Sequence, residues 1–408
     1  MTNYRVKLPT LLAIAGVAGC ADDGGYADLT TFRDSAGVRI AENVSPADSA
    51  KHAWWSIGNA TVDIGGADAV EPYALHRITA AIRQPDGSIV VGSDVAGDIR
   101  VFSASGEHIR TTGRRGGGPG EFESISWMGR VAGDSILVFD SGNRRFTLLD
   151  AAGAYVRVIP AVTEITRVYG QFADGSLMVV GGNLFTVPAG GFSPDQVTRI
   201  PTQLSRFSIA EPRLDSLGAF PGTERVIRVS TRPDGEVSSV SLIMPPFSKQ
   251  PSFAVAASEF YVGAQDGPEI QVYDTTGALR RIIRTGRAPE PVTQAHLDAQ
   301  FERRLQQMPE RLRTEMRASG PPDQPHGDFV PPYGELIVDR LGNLWVADYN
   351  DPLDPPGRWT IYDANGAVVA RIRLPEDFRP LDIGADYVLG RELDDLDTEH
   401  IRVYPLVR

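Results

Sequence analysis

The residues best suited to chemistry are arginines and aromatic residues near the starts of short β-strands that the sequence predicts. They are Arg77, Trp127, Arg167, Tyr169 and Tyr333. A guanidinium presents a planar fork of N–H donors to a carboxylate, and aromatic rings offer flat surfaces for stacking. If their strands surround one cavity, these residues predict a pocket for a small anionic or sugar-like ligand. The alternative is that they fill the cavity and pack the strands.

A second candidate follows the apolar segment 345–347. Asp348, Asn350 and Asp351 supply carboxylate and amide oxygens, which are the ligands that calcium prefers. A central ion would also need ligands from several repeats, and the equivalent positions elsewhere carry no matching acid. We therefore expect no metal and no other cofactor, with Asp348 ordering a loop. If calcium does bind, Asp348 and Asn350 are the first ligands expected.

Other catalytic and binding classes are poorly supported. The segment 113–120, GRRGGGPG, lacks the Gly-Lys-Ser/Thr of a phosphate loop and leads into Glu121 and Phe122. No Gly-x-Ser-x-Gly elbow is present, and no two histidines have the i, i+4 spacing of a helical metal site. The net charge of −12 argues against nucleic-acid binding, which needs a basic surface. An enzyme is thus less expected than a binding protein.

The chain must position these residues with β-structure. Its 408 residues include 42 Gly and 30 Pro without a collagen period, which indicates many turns and an all-β fold. Four segments share one order: a turn, a short apolar strand, a polar loop, an alternating strand ending near Asp-x-x-Gly or Ser-x-x-Gly, and one more strand. They are 86–113, 134–158, 258–286 and 342–373, and two weaker copies are 167–220 and 380–408.

The last copy lacks a fourth strand, and the start of the chain can supply it. A strand near Val62–Ile64 would complete that unit and remove an open sheet edge. The sequence therefore predicts a six-bladed β-propeller over residues 37–408. The alternative is a seven-bladed ring that uses 226–244 as an incomplete blade. We interpret 226–244 as an extra hairpin, because no Asp-x-x-Gly strand follows it.

The first repeat resembles the NHL repeat. The resemblance rests on Gly87, Ile89–Val91, Asp94, Arg100–Phe102 and Gly106, together with Gly113 and the segment 116–122, GGGPGEF; Asp140 and Asn143–Arg145 extend it into the second repeat. This form is similar to six-bladed propeller lipoproteins of Gram-negative bacteria. The resemblance implies a fold and leaves the chemistry open.

A second, partial resemblance concerns the candidate metal ligands. The segment 342–351, GNLWVADYND, looks similar to part of the calcium-dependent propeller lactonases, in which a central ion is held by acidic and amide side chains. It implies an alternative function as a metal-dependent hydrolase or lyase.

One insertion interrupts the β-pattern. Apolar residues spaced by three and four predict an amphipathic helix over 293–318, capped by Thr293 and kinked or split by Pro309. This helix packs on its own propeller, or it serves as a lid or a docking site for a partner protein.

The N-terminus predicts a lipid anchor. Residues 1–19 combine a basic start with a short apolar segment, and Val17-Ala18-Gly19-Cys20 resembles the bacterial lipobox, whose cysteine is lipidated. Ala21 in place of Asp after Cys20 favours the outer membrane, with the protein facing the periplasm or the cell surface. Residues 20–36 are polar and acidic and predict a flexible tether. The sequence as a whole indicates an envelope protein that binds a small anionic ligand or an unknown protein without catalysis.

We predict that Cys20→Ser abolishes lipidation, because a hydroxyl group does not replace the acceptor thiol. Metabolic labelling with a radioactive or clickable fatty acid measures this, with the wild-type chain as the reference. Equal labelling of both proteins would contradict the lipoprotein interpretation.

Overall fold

The computed structural model describes residues 29–45, 52–162, 164–181, 197–232, 236–321, 324–354 and 356–408. The predicted signal peptide, Cys20 and residues 20–28 of the predicted tether lie outside these ranges. Within them, six groups of four antiparallel strands follow one another along the chain and form the blades of an all-β propeller, and further strands extend the sheets of blades 4 and 6. In each blade the strands are named in order from the central axis outward.

The strands of the first three blades are consecutive in the chain, except that a segment belonging to another sheet interrupts the third blade. Blade 1 contains β5 (Ile78–Arg83), β6 (Ile89–Ser93), β7 (Asp98–Phe102) and β8 (His108–Gly113). Blade 2 contains β9 (Ile125–Arg130), β10 (Ile136–Asp140), β11 (Arg145–Leu149) and β12 (Tyr155–Pro160). Blade 3 contains β13 (Ile165–Gln171), β14 (Leu177–Gly181), β16 (Thr202–Ser208) and β17 (Arg213–Phe220).

The last three blades complete the ring. Blade 4 contains β20 (Ser252–Val255), β21 (Glu259–Gly263), β22 (Glu269–Asp274) and β23 (Leu279–Arg284). Blade 5 contains β24 (Leu336–Val338), β25 (Leu344–Ala347), β26 (Arg358–Tyr362) and β27 (Val368–Arg373). Blade 6 contains β28 (Phe378–Ile383), β29 (Tyr387–Leu393), β30 (Glu399–Val407) and β4 (Val62–Gly65), with the short β3 (Ser56–Ile57) further along β30.

The Asp-x-x-Gly repeats form the turns between the two outer strands of a blade. In blade 2, Asp150 Oδ1 accepts hydrogen bonds from the backbone N–H groups of Ala152 and Ala154, at 3.0 and 2.8 Å. Gly153 then adopts φ +78°, a conformation that favours glycine. The same aspartate-to-amide bonds recur at Asp274 and Asp363. The carboxylate and the glycine together fix the register of each outer hairpin.

The glycine-rich loop 113–122 belongs to the connection between blade 1 and blade 2. Phe122 is fully buried and anchors it. Arg145, on β11, donates to the carbonyl oxygens of Gly117, Gly118 and Glu121 at 2.7–2.8 Å. These bonds hold the loop against its own blade and place the first residues of β9 at the axis.

Pairing of β4 with β30 closes the ring and confirms the predicted closing strand. The two strands are antiparallel, with Val62 opposite Val403 and Ile64 opposite Ile401. Ile64 is 2% exposed and belongs to a core cluster shared by blades 6 and 1. The sheet edge that the last blade would otherwise expose is therefore covered.

The predicted tether over residues 20–36 is corrected at its end, because residues 29–36 belong to the folded structure. Thr30–Ser35 form β1, which makes a hairpin with β2 (Val38–Asn43). Strand β2 pairs in parallel with β23, the outermost strand of blade 4. Leu29 is buried, and the Thr30 hydroxyl group donates to Asn43 Oδ1 at 2.6 Å. The hairpin covers the outer edge of blade 4, so its polar sequence reflects an exposed sheet edge.

The segment 226–244 is an extra hairpin, as predicted, and does not form a seventh blade. Strands β18 (Glu224–Thr231) and β19 (Val237–Ile243) pair with β15 (Val197–Arg199) in a three-stranded side sheet. Strand β15 comes from the segment between β14 and β16, whereas β18 and β19 come from the connection between blades 3 and 4. The ring therefore keeps six blades.

The helical insertion is split as the sequence predicts. Helix α1 spans Gln294–Gln306 and α2 spans Glu310–Ser319, with Pro309 at the N-cap of the second. Thr293 caps α1 in a capping box with His296. Leu305 is fully buried, and Arg303 donates to the carbonyl oxygens of Asn350 and Asp351, both at 3.0 Å. The insertion therefore packs on blade 5. Neither helix of the described chain is long and apolar enough to span a membrane.

We predict that Ile64→Ala lowers the free energy of unfolding by about 2–5 kcal/mol, the usual range for truncating a buried isoleucine. Thermal and urea unfolding measure the loss. Val70→Ala is the matched control, because Val70 lies nearby in the chain and is 74% exposed. Equal melting temperatures for the two variants would show that β4 contributes little to ring closure.

Candidate functional site

The six inner strands enclose a central cavity of about 1160 Å³. The strands are β5, β9, β13, β20, β24 and β28, one from each blade. Residues from all six line its wall. The cavity is therefore the place where side chains from different blades can meet one ligand.

Three neighbouring blades begin their inner strands in the same way. A buried isoleucine is followed by a hydroxyl residue that has no partner in the ladder with the second strand. The pairs are Ile78-Thr79, Ile125-Ser126 and Ile165-Thr166. Each ladder register shifts at the hydroxyl residue, which marks a β-bulge, and bulges turn side chains out of the regular alternation. All three hydroxyl residues are exposed to the cavity.

The residue after each hydroxyl occupies one common register position. Ala80 lies opposite Gly92, Trp127 opposite Phe139, and Arg167 opposite Val180, in each case across from the same point of the second strand. All three line the cavity. The fold therefore places Trp127 and Arg167 at one level on adjacent blades.

Of the five predicted pocket residues, four line the cavity: Arg77, Trp127, Arg167 and Tyr169. Arg77 precedes β5 and has φ +50°, which is unfavourable for a residue with a Cβ atom. Its side chain is 72% exposed and forms an ion pair with Asp94, at 3.2 Å. Arg77 thus reaches into solvent at the mouth of the cavity.

The prediction that Tyr333 belongs to the pocket is wrong. Its side chain is 1% exposed and does not line the cavity. The Tyr333 hydroxyl group donates to the carbonyl oxygen of Glu269 at 2.7 Å and accepts from the N–H of Gln265 at 3.2 Å. Tyr333 lies before β24, so its ring enters the core between blades 4 and 5.

Charges on the cavity wall are mostly paired. Six arginines and four carboxylates line it in the described residues, which leaves an excess of two positive charges. The four carboxylates each pair with an arginine that also lines the cavity: Asp94 with Arg77 at 3.2 Å, Glu335 with Arg379 at 2.8 Å, Asp382 with Arg340 at 2.7 Å and Glu399 with Arg391 at 2.8 Å. Arg130 pairs at 3.7 Å with Asp134, which lies outside the wall.

Arg167 is the remaining cation of the wall. Within the described ranges it forms no ion pair with an acid, and its guanidinium lies 5.9 Å from the centroid of the Tyr169 ring. The Tyr169 ring packs against Phe253, with centroids 5.0 Å apart. Burial raises the pKa of Tyr169, so the phenol stays neutral at physiological pH. Arg167 is therefore a cation beside a neutral aromatic side chain, with no acidic partner among the described residues.

Trp127 forms an aromatic part of the same wall. Its indole ring lies over Gly129 of its own strand, where a Cβ atom would collide with the ring. The side chain also packs against the core cluster between blades 2 and 3. A residue with a Cβ atom at position 129 would therefore displace the indole ring.

Asp348 and Asn350 are held by arginines and lie outside the central cavity. Asp348 forms ion pairs with Arg287, Arg358 and Arg371, at 2.6, 3.1 and 3.3 Å. Asn350 Oδ1 accepts from Arg303 at 3.1 Å. Both residues line a smaller side pocket of about 430 Å³ that shares Glu335 and Arg379 with the central cavity. Guanidinium groups surround the oxygens that calcium would need, so this set does not fit a cation.

One cluster with metal-binding residue types was missed from the sequence. The Nε2 atom of His296 lies 3.5 Å from a carboxylate oxygen of Glu290 and 3.5 Å from one of Asp351. The N–H of Thr293 donates to Nδ1 of the same ring at 3.0 Å, so Nδ1 is unprotonated and the neutral ring carries its proton on Nε2. A metal ion would need the Nε2 lone pair. The cluster instead fastens α1 to the loop after β25. The only signal in the sequence was histidine three residues after a capping threonine.

Comparisons with known proteins support no family assignment. No family profile and no curated protein matches the sequence. Among solved structures, a DUF4221 protein from Bacteroides vulgatus is 8% identical, with TM-score 0.47, covering 87% of this chain and 98% of that one. An exported protein from Bacteroides fragilis is 11% identical, with TM-score 0.43 and coverage of 87% and 95%. Virginiamycin B lyase from Staphylococcus aureus is 8% identical, with TM-score 0.39 and coverage of 81% and 94%. These likenesses carry no argument about the chemistry of this chain.

We predict that Asp348→Asn destabilises the protein by about 3–5 kcal/mol, because it leaves three arginines without their shared, largely buried carboxylate. Thermal unfolding measures the loss, and Asp395→Asn, at an exposed position, is the charge-matched control. Added calcium should leave the melting temperature of the wild type unchanged. A large calcium-dependent rise, removed by chelator, would instead show a bound ion.

Proposed function

We propose that the protein is a non-catalytic ligand-binding propeller of the cell envelope, and that its central cavity binds a small anionic ligand. The observation that carries the proposal is the charge of the cavity. Its wall has two more arginines than carboxylates, within a chain of net charge −12. A negative surface repels anions in general, so a site for one has to concentrate positive charge locally.

The geometry supports Arg167 as the main anion contact. It is the cavity arginine without an acidic partner among the described residues, whereas Arg77 shares its charge with Asp94. A wall that excludes part of the solvent strengthens the attraction between Arg167 and a bound carboxylate. Trp127 and Tyr169 offer ring surface beside it. This arrangement favours a small organic anion over a metal ion.

The alternative, a metal-dependent hydrolase or lyase, has weaker support. A catalytic cation needs free oxygen or nitrogen ligands from several blades. Within the described residues, each carboxylate of the cavity wall is paired with an arginine. Asp348 and Asn350 are likewise occupied by arginines. The residues present therefore favour binding without catalysis.

The location is part of the proposal. The lipobox-like segment around Cys20 supports lipid anchoring, and Ala21 supports the outer membrane, with the propeller facing the periplasm or the cell surface. The resemblance of 87–122 to NHL repeats fits propeller lipoproteins of this kind. The helical insertion at 293–318 remains the second place where a partner protein could dock.

Isothermal titration with a panel of small anions tests the proposed site. We expect at least one carboxylate to bind, and Arg167→Met to weaken it by about 1.5–3 kcal/mol, the range for a hydrogen bond to a charged group. Arg167→Lys should retain part of the affinity, and Arg77→Ala should cost less because Asp94 already compensates Arg77.

The control is Arg110→Met, which removes the same charge from an exposed position on β8. It should leave binding unchanged. The proposal is wrong if no anion of the panel binds, or if Arg167→Met and Arg110→Met bind it equally well. A strong loss of thermal stability in Arg167→Met would identify the arginine as a structural link between blades.

A further inference from the structure

The charge argument for the anion site gives no role to the hydroxyl groups at the three β-bulges. Thr79, Ser126 and Thr166 occupy one register position on three successive inner strands, and all face the cavity. Neighbouring inner strands β5, β9 and β13 approach within 8 Å. The hydroxyls therefore form an arc along one side of the wall, at the level next to Trp127 and Arg167.

Their present hydrogen bonds are long. Thr79 donates to the carbonyl oxygen of Gly92 at 3.4 Å, Ser126 to that of Phe139 at 3.4 Å and Thr166 to that of Val180 at 3.5 Å. Hydroxyl hydrogen bonds are normally 2.7–2.8 Å, so these donors are weakly engaged. Each hydroxyl also keeps acceptor lone pairs. The arc can thus donate to and accept from a ligand.

We propose that the anionic ligand is a sugar acid, with its carboxylate on Arg167 and its hydroxyl groups on Thr79, Ser126 and Thr166. This inference rests on the anion site proposed above and adds the chemistry of the rest of the ligand. One cation, an arc of hydroxyls and the indole of Trp127 match one carboxylate, several hydroxyls and the apolar C–H face of a sugar ring. A plain aliphatic carboxylate would leave the hydroxyl arc unused.

The site has room for such a ligand. The cavity of about 1160 Å³ exceeds the volume of one sugar ring, and it opens to solvent beside Arg77. Gly129 lets the Trp127 ring lie over its own strand, where a Cβ atom would collide with it. The carboxylate can then reach Arg167 while the ring passes over Ser126.

Isothermal titration with three probes tests the inference: glucuronate, glucose, which lacks the charge, and hexanoate, which lacks the hydroxyls. We expect glucuronate to bind wild-type protein at least tenfold more tightly than either of the others. Ser126→Ala and Thr166→Val should each weaken glucuronate about fivefold, the value of one neutral hydrogen bond, and leave hexanoate unchanged. Thr31→Val, at an exposed position of the outer hairpin, is the matched control.

The outcomes separate the two proposals. If hexanoate binds as tightly as glucuronate and depends on Arg167, the anion site stands and the sugar-acid inference is wrong. If glucose binds as tightly as glucuronate, charge recognition by Arg167 is wrong. If none of the three probes binds, the sugar-acid inference is wrong, and the anion site is decided by the wider anion panel. Melting temperatures of the hydroxyl variants within a degree of wild type confirm that affinity changes report contacts with the ligand.

Discussion

The pairing of β4 with β30 is the constraint on which the rest of the structure depends. It joins residues separated by more than three hundred positions, and it converts a row of sheets into a closed ring. Side chains reinforce it: Asp63 accepts from the His400 ring at 2.6 Å and pairs with Arg402 at 3.0 Å. The inner strands can surround one cavity only because this ring is closed.

Electrostatic compensation then shapes the cavity. Charged groups at a partly desolvated wall are costly unless paired, and here every carboxylate of the described wall meets an arginine. Arg167 departs from this rule, because it pairs with no acid among the described residues and lies beside the neutral side chain of Tyr169. An exposed, unpaired charge on a cavity wall whose other charges are largely compensated makes Arg167 a candidate ligand contact.

Much of the fold followed from local sequence, whereas side-chain contacts did not. Asp150 and Gly153 predict a turn, because the hydrogen bonds of the Asp150 carboxylate and the backbone conformation of Gly153 all lie within five consecutive residues. Thr293 and Pro309 likewise predict helix boundaries, because capping depends on residues that are close in sequence. Tyr333 could not be placed, because the choice between cavity and core depends on Gln265 and Glu269, which belong to another blade. The N-terminal hairpin was missed since its partner, β23, is remote in sequence.

The sequence by itself determined the number of blades, the closing strand, the split helix and four of the residues at the cavity, because periodicity, turns and caps are local properties. Only the tertiary structure decided the charge balance of the cavity and the role of each arginine. Arg77 and Arg167 look alike in the sequence, yet one meets Asp94 and the other meets no acid in the described chain. Whether a charge is compensated depends on neighbours that the ring brings together, and no local pattern encodes them.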